Sequence, residues 1–276
     1  MAELGHYNLL RIVRQTDIGA FLDAGELGEI LLPRRYLDDT MQEGGKVEVF
    51  VYNDSEDRIV ATCERPKAQV GECAYLKVVS TGKFGAFLDW GLPKDLLVPF
   101  SEQHKPMQKG YSYTVFLFVD SATQRIAAST RLESHLSTDG AGFRPRQPVD
   151  CLVYGRSDLG FKAIVDGTHL GQFYDNETFR PLHYGEWVGA YIKQVRKDGK
   201  IDLALQLPSP LERDRLGEAI IAHLRQNQGV STLTDKSPPG EIYQAFGVSK
   251  ANYKKALGRL YKQREILIEK HRITLL

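Results

Sequence analysis

The sequence has little of what catalysis, metal binding or membrane insertion requires. Its three cysteines, Cys63, Cys73 and Cys151, include no Cys-x-x-Cys pair. That argues against a disulfide scaffold and a zinc site, and for a reducing cytoplasm in which the thiols serve as small buried hydrophobes. The seven histidines show no metal-ligand spacing. There is no His-Glu-x-x-His, no phosphate-binding Gly-Lys-Ser/Thr loop and no nucleophile elbow, so neither an enzyme nor a cofactor or metal is expected. No apolar stretch approaches the roughly 20 residues that cross a bilayer. Residues 1–6 have neither the basic start nor the apolar core of a secretory signal, so a cytoplasmic protein without membrane contact is expected. Sustained apolar heptads are missing too, leaving no oligomer signal.

What remains has the composition of a globular protein, 42% hydrophobic and 26% charged. The net charge of +1 conceals an uneven distribution. Residues 1–66 carry 7 basic and 13 acidic side chains, a net −6, and residues 67–146 carry 10 and 7, a net +3. Residues 147–208 come to −1 and residues 209–276 to +5. A polyanion is drawn to the second and fourth segments and repelled by the first.

One phrase recurs. Asp17-Ile18-Gly19-Ala20-Phe21-Leu22-Asp23 returns as Lys83-Phe84-Gly85-Ala86-Phe87-Leu88-Asp89, and more loosely as Leu159-Gly160-Phe161-Lys162-Ala163-Ile164-Val165-Asp166. A period of roughly 65 to 75 residues implies three small modules of one kind. Around each phrase lie short runs rich in β-branched and aromatic residues, separated by Gly, Asp, Asn and Pro turns. In the first module these runs are residues 7–13, 19–23, 29–33, 45–52 and 59–62; in the second, 73–79, 85–89, 96–99, 111–119 and 125–129. In the third they are residues 149–154, 160–165, 171–174, 187–195 and 200–205. Five antiparallel strands in so few residues suit an OB-type barrel, whose closure removes exposed edges. The expected domains are 1–66, 67–134, 147–208 and 209–276, with a Gly-rich linker at 135–146. Asp23, Asp89 and Asp166 read as equivalent strand-end residues of the repeats.

From residue 209 alternation gives way to helical period. Leu216, Ala219, Ile220 and Leu224 place a helix over 211–227, stopped near Gly229. Ser237-Pro238-Pro239 supplies an N-cap and first-turn proline for a second helix through Phe246. Ser249 caps a third helix running to about Arg264, and residues 266–268 and 273–275 form a hairpin. Three helices and a hairpin make a winged helix. On the third helix Tyr253, Ala256, Leu257 and Leu260 form the core side. Lys255, Arg259 and Lys262 lie opposite, and Lys250 and Lys254 flank the apolar stripe. In helix-turn-helix proteins this helix enters the major groove. With few base-reading residues beyond Asn252, phosphate contact without sequence preference is expected.

Gly-Ala-Phe-Leu-Asp after a strand, the later Leu-Leu-Val-Pro-Phe-Ser-Glu and the closing Arg-Ile-Ala-Ala-Ser resemble the S1 RNA-binding domain, an OB barrel. The order of segments over essentially the whole chain resembles the bacterial CvfB/YitL (conserved virulence factor B) family, three such barrels followed by a winged helix. The resemblance implies a mainly β fold and an RNA-binding role. Bases stack on aromatic faces and phosphates meet cations. In the second module the S1 pattern implies Lys83, Phe84 and Phe87, with Arg125 on the returning strand and His104 after the third strand. Phe87 reads equally well as core, since alternation buries one residue in two. The third module offers Phe161 and Tyr154, with Phe173 and Tyr174 nearby, and the cations Arg156, Lys162, Lys193, Arg196, Lys197 and Lys200. Residues 196–200 also read simply as a solvated hairpin tip. The first module has Asp17 and Ile18 where the second has Lys83 and Phe84, and is expected to have a structural or protein-contacting role.

Three readings stay open. The leading one is binding of single-stranded RNA in post-transcriptional control. The others are a DNA-binding regulator led by the winged helix, and a scaffold that docks a protein partner on the acidic first barrel.

Overall fold

Each barrel is organised by one glycine at the turn of its first hairpin. Gly19, Gly85 and Gly160 have φ of +149°, +149° and +143°, and a Cβ on each would stand 2.1 Å from the carbonyl oxygen of Leu32, Val98 or Phe173 on the next strand. Only glycine allows the third strand to close on the turn so tightly.

A computed structural model describes residues 2–175, 178, 180–206 and 210–276, the side chains of 210–213 excepted. The fold is mainly β: three five-stranded OB barrels and a C-terminal winged helix. The first barrel comprises β1 (Tyr7–Thr16), β2 (Gly19–Asp23), β3 (Glu29–Pro33), β4 (Lys46–Asn53) and β5 (Ile59–Thr62), closed in the order β1-β2-β3-β5-β4. The second comprises β6 (Cys73–Gly82), β7 (Gly85–Asp89), β8 (Leu96–Pro99), β9 (Ser112–Asp120) and β10 (Arg125–Ser129). The third, closed like the first, comprises β11 (Pro148–Ser157), β12 (Gly160–Val165), β13 (His169–Tyr174), β14 (Trp187–Val195) and β15 (Ile201–Ala204). The register of the first hairpin slips at Val13, Val79 and Tyr154, the same place in every barrel. A bulge there lets the long first strand coil around the barrel and pair with both neighbours.

The second barrel keeps the strand order but has no ladder between β8 and β10. A loop seals that gap: Thr130 N donates to Glu102 O at 3.0 Å, His104 N to Thr130 Oγ1 at 2.7 Å, and Arg131 Nε to Ser101 O at 2.6 Å.

Residues 1–135 form one compact unit and residues 136–276 another. In the first unit a single hydrophobic cluster joins the barrels, with Phe50, Tyr52 and Val60 of one packed among Trp90, Leu92 and Leu96 of the other. Asp57 reinforces the seam, pairing with Lys94 at 2.9 Å and Arg125 at 2.7 Å. The Lys94 hydrogen bond, then the charges of Lys94 and Arg125, hold the Asp57 carboxyl below the usual range. A carboxylate with a depressed folded pKa stabilises above its unfolded pKa of about 4, and that contribution is lost as pH falls through the folded value. Asp57→Asn is therefore expected to be less stable at pH 7 yet to lose less stability than wild type on acidification. Trp90 emission during urea unfolding at pH 7 and pH 3, in a Trp187→Phe background, checks this.

The segment read as a linker makes contacts along its length. His135 stacks on Phe116 at 4.7 Å, Leu136 is buried, Ser137 bridges to His169, and Phe143 packs against the core of the third barrel.

The winged helix comprises α1 (Pro210–Gln226), β16 (Val230–Ser231), α2 (Pro239–Phe246), α3 (Lys250–Lys262), β17 (Ile266–Ile268) and β18 (Ile273–Leu275). The expected boundary at 208–209 lies outside the described residues. Ser249 Oγ accepts from Asn252 N at 3.3 Å, capping α3 as expected. Ser237 does not cap α2: Pro238 holds the cap position, and Ser237 Oγ instead accepts from Thr234 N at 2.9 Å. Ile221 rather than Ala219 is buried on α1. Asn252 is buried at the start of α3.

Candidate nucleic-acid interface

Counting from the turn glycine brings the three barrel surfaces into correspondence. The two residues before it are Asp17-Ile18, Lys83-Phe84 and Asp158-Leu159. Ile18, Phe84 and Leu159 are 62%, 61% and 57% exposed, so every tip presents a large apolar side chain. In the second barrel that side chain is a ring beside a cation, with Lys83 Nζ 4.9 Å from the Phe84 centroid. The other two tips set an acid beside an aliphatic chain.

Two residues beyond the glycine stand Phe21, Phe87 and Lys162, opposite Arg14, Ser80 and Gly155. The Arg14 guanidinium sits 3.7 Å over the Phe21 ring and pairs with Glu29 at 3.1 Å. Phe21 is thus capped. Ser80 leaves Phe87 without such a cap, and the half-buried Phe87 ring reaches toward Gly82.

The residue after the strand facing the glycine is Arg34, Phe100 or Asp175. Phe100 is 59% exposed and begins the loop that seals the second barrel. Buried Gln103 holds that loop by donating to Val98 O at 3.0 Å and accepting from Met107 N at 3.1 Å. Sequence reading missed Phe100, although an aromatic directly after the Pro that ends β8 was the available signal. Lys83, Phe84, Phe87 and Phe100 all lie on β7 or beside the ends of β7 and β8. His104 is exposed just beyond them. Arg125 is exposed and ion-pairs with Asp57 at the seam.

The third barrel differs from its expected site. Gly160 takes the position of Gly19 and Gly85, so Phe161 falls on the inward parity of Ala20 and Ala86 and packs partly on the core. Lys162 takes the outward position of Phe87, and Ile164, not Asp166, stands level with Asp23 and Asp89. Arg156 lies 4.6 Å over Phe161 and pairs with Asp175 at 3.1 Å. Tyr154 is half-buried at the bulge, and Phe173 is wholly buried core. Arg196 is tied to buried Asp202 at 2.8 Å, and its guanidinium lies 5.4 Å over Tyr174. Lys193 is half-buried on β14, and Lys197 is exposed in the turn.

On α3, Lys254, Lys255 and Lys262 are exposed and Lys250 half-buried. Arg259 departs from the expected outer face, since Asp214 of α1 holds it at 2.6 Å. The buried side is Tyr253, Ala256, Leu257 and Leu260, as the helical period required.

Among the described residues no group of three or more His, Cys, Asp or Glu side chains is placed to hold a metal, and no helix is long and apolar enough to cross a membrane. Cys73 and Cys151 are buried hydrophobes, and burial pushes the Cys73 thiol up to about 12. Cys63 is exposed, contrary to expectation.

Tandem OB barrels of S1 type with a winged helix define a protein of the nucleic-acid-binding class. The S1 domain family matches residues 4–64 and 70–131, and the CvfB-like winged helix domain matches residues 218–275. The third barrel shares the strand order of the first. YitL of Bacillus subtilis strain 168 is 31% identical, over 96% of this chain and 91% of that protein. Conserved virulence factor B of Staphylococcus epidermidis strain ATCC 12228 is 27% identical, over 86% of this chain and 82% of that protein. A crystal structure of a multidomain protein with nucleic acid binding domains from Streptococcus pneumoniae TIGR4 is 24% identical, with 99% and 98% of the chains covered and a TM-score of 0.43. The chain belongs to the CvfB/YitL (conserved virulence factor B) family.

Proposed function

We propose that this protein binds single-stranded RNA, with the second barrel as the principal contact, and acts in post-transcriptional control in the cytoplasm as a binder, not an enzyme. One observation carries the reading: of three equivalent hairpin tips, only the second pairs a lysine with an exposed ring, and it sits beside two more rings. Bases stack on Phe84, Phe87 and Phe100 while Lys83 meets phosphate. Lys254, Lys255 and Lys262 of the winged helix add phosphate contacts that carry no sequence information. Two weak sites on one chain reinforce each other through effective concentration. The first barrel, acidic and with Phe21 capped by Arg14, is left for structure and protein contact.

Fluorescence anisotropy with a mixed-sequence single-stranded RNA, the matching single-stranded DNA and duplex DNA, each at two salt concentrations, tests the reading. RNA is expected to bind tightest, with log K falling by about 0.7 per phosphate neutralised for each tenfold rise in salt. Tighter binding of duplex DNA transfers the function to the winged helix; no binding to any probe at low salt overturns the reading.

A further inference from the structure

The third barrel carries a second surface, where β14 pairs with the start of β11, the end of that strand away from the hairpin tip. Along β14, Trp187, Gly189 and Tyr191 share the outer face, since side chains alternate. Trp187 is 56% exposed and Tyr191 38%. A Cβ on Gly189 would meet nothing within 4 Å, so the space between the two aromatics is open. On the paired strand Asp150 stands opposite Gly189 and Pro148 opposite Tyr191. Pro148, Asp150, Gly189 and Tyr191, with Asp166, line a groove of about 530 Å³, and Trp187 stands beyond Gly189 on the same face, opposite Leu152.

The two acids differ in their freedom. Asp166 is fixed in the left-handed region at φ +47°, and its carboxylate accepts from Asp150 N at 2.8 Å. Asp166 N in turn donates to Asp150 O at 2.8 Å. The Asp150 side chain makes no hydrogen bond or ion pair to any described residue, and it is exposed.

We propose that this groove receives an arginine or lysine side chain from an extended basic segment of a protein partner. Charge complementarity selects the occupant. Two carboxylates repel phosphate, whereas an open carboxylate between aromatic faces attracts a cation by ion pairing and cation–π contact together. The missing side chain at Gly189 makes room for the cation to lie across the strand. Closure of the barrel leaves β14 no edge for strand addition, so recognition works through side chains.

The sequence supplies its own reporter. Its two tryptophans are Trp90, 3% exposed, and Trp187, so changes in solvent quenching report the face beside the groove. The full chain is titrated with nona-arginine, nona-glutamine and an oligouridylate while Trp emission is followed. Nona-arginine is expected to give a saturable change that nona-glutamine does not. Its apparent affinity is expected to fall about tenfold in Asp150→Asn/Tyr191→Ala and to hold in Asp17→Asn/Asp23→Asn, which removes two acids from the first barrel instead. Asp150→Asn alone, an exposed isosteric change, serves if the double variant fails to fold, and is expected to weaken binding severalfold. In the unliganded protein, caesium is expected to quench Trp187 more than iodide. A saturable response to oligouridylate but not to nona-arginine, or peptide affinity unchanged in the Asp150 variants, overturns the proposal.

Discussion

Replacing Phe84 and Phe100 together by alanine is expected to weaken single-stranded RNA binding by between about thirtyfold and a thousandfold. A base–aromatic stack contributes about 1–3 kcal/mol, and two partly independent stacks amount to about 2–4 kcal/mol, at 1.4 kcal/mol per tenfold. Both rings are well exposed, so the fold is not at stake: thermal stability is expected to change by no more than about 0.5 kcal/mol. The matched control is Ile18→Ala/Leu159→Ala, which trims the equivalent tips of the other barrels and is expected to leave affinity within about twofold. Anisotropy titration of the three proteins with one RNA decides it. An equal loss in both variants means that the tips act as apolar surface and the cation–ring pair has no special role.

Gly85→Ala is expected to unfold the second barrel or destabilise it by about 3 kcal/mol or more. A φ of +149° disfavours any residue with a Cβ, and strain of this kind costs about 1–3 kcal/mol. The added methyl then stands 2.1 Å from Val98 O, which is held in the ladder with β7 and by Gln103. Gly71→Ala separates the two contributions. Gly71 has φ +85° but open space around its Cβ position, so about 1 kcal/mol is expected there. The readout is Trp90 emission during thermal unfolding, in a Trp187→Phe background, because Trp90 packs on Phe50 across the seam. Gly85→Ala melting within a few degrees of Gly71→Ala would show that the β7–β8 junction yields where the geometry says it is rigid.

Most of the fold was legible because the barrels are local in grammar. Residues 19–23, 29–33, 85–89, 96–99, 125–129, 160–165 and 187–195 are strands as alternation and turn residues required. The hairpin of the wing falls at 266–268 and 273–275 as read. What the sequence hid are contacts between residues far apart in it. Nothing in the run around Asp57 shows that it pairs with Arg125, 68 positions away, the cation that the S1 pattern assigns to RNA. Nor does α3 alone show that Arg259 turns to Asp214. The third barrel misled in a different way. Its aromatic follows the glycine directly, where the other repeats have alanine, and a one-residue offset in a strand moves a side chain to the opposite face. Phe161 therefore packs partly on the core, and Lys162 takes the outward place that Phe87 holds in the second barrel. Phe100 needed the opposite insight, that a residue beyond a strand end is set beside the turn glycine by the ladder between β7 and β8.

The claim that the second barrel's tip holds the RNA is tested most directly by ultraviolet cross-linking of the full chain to a uridine-containing single-stranded RNA, with the attachment sites read by mass spectrometry. Adducts are expected at Phe84 or Phe100, with secondary ones on α3. Adducts confined to the third barrel and the winged helix, with none between residues 83 and 104, would contradict the claim.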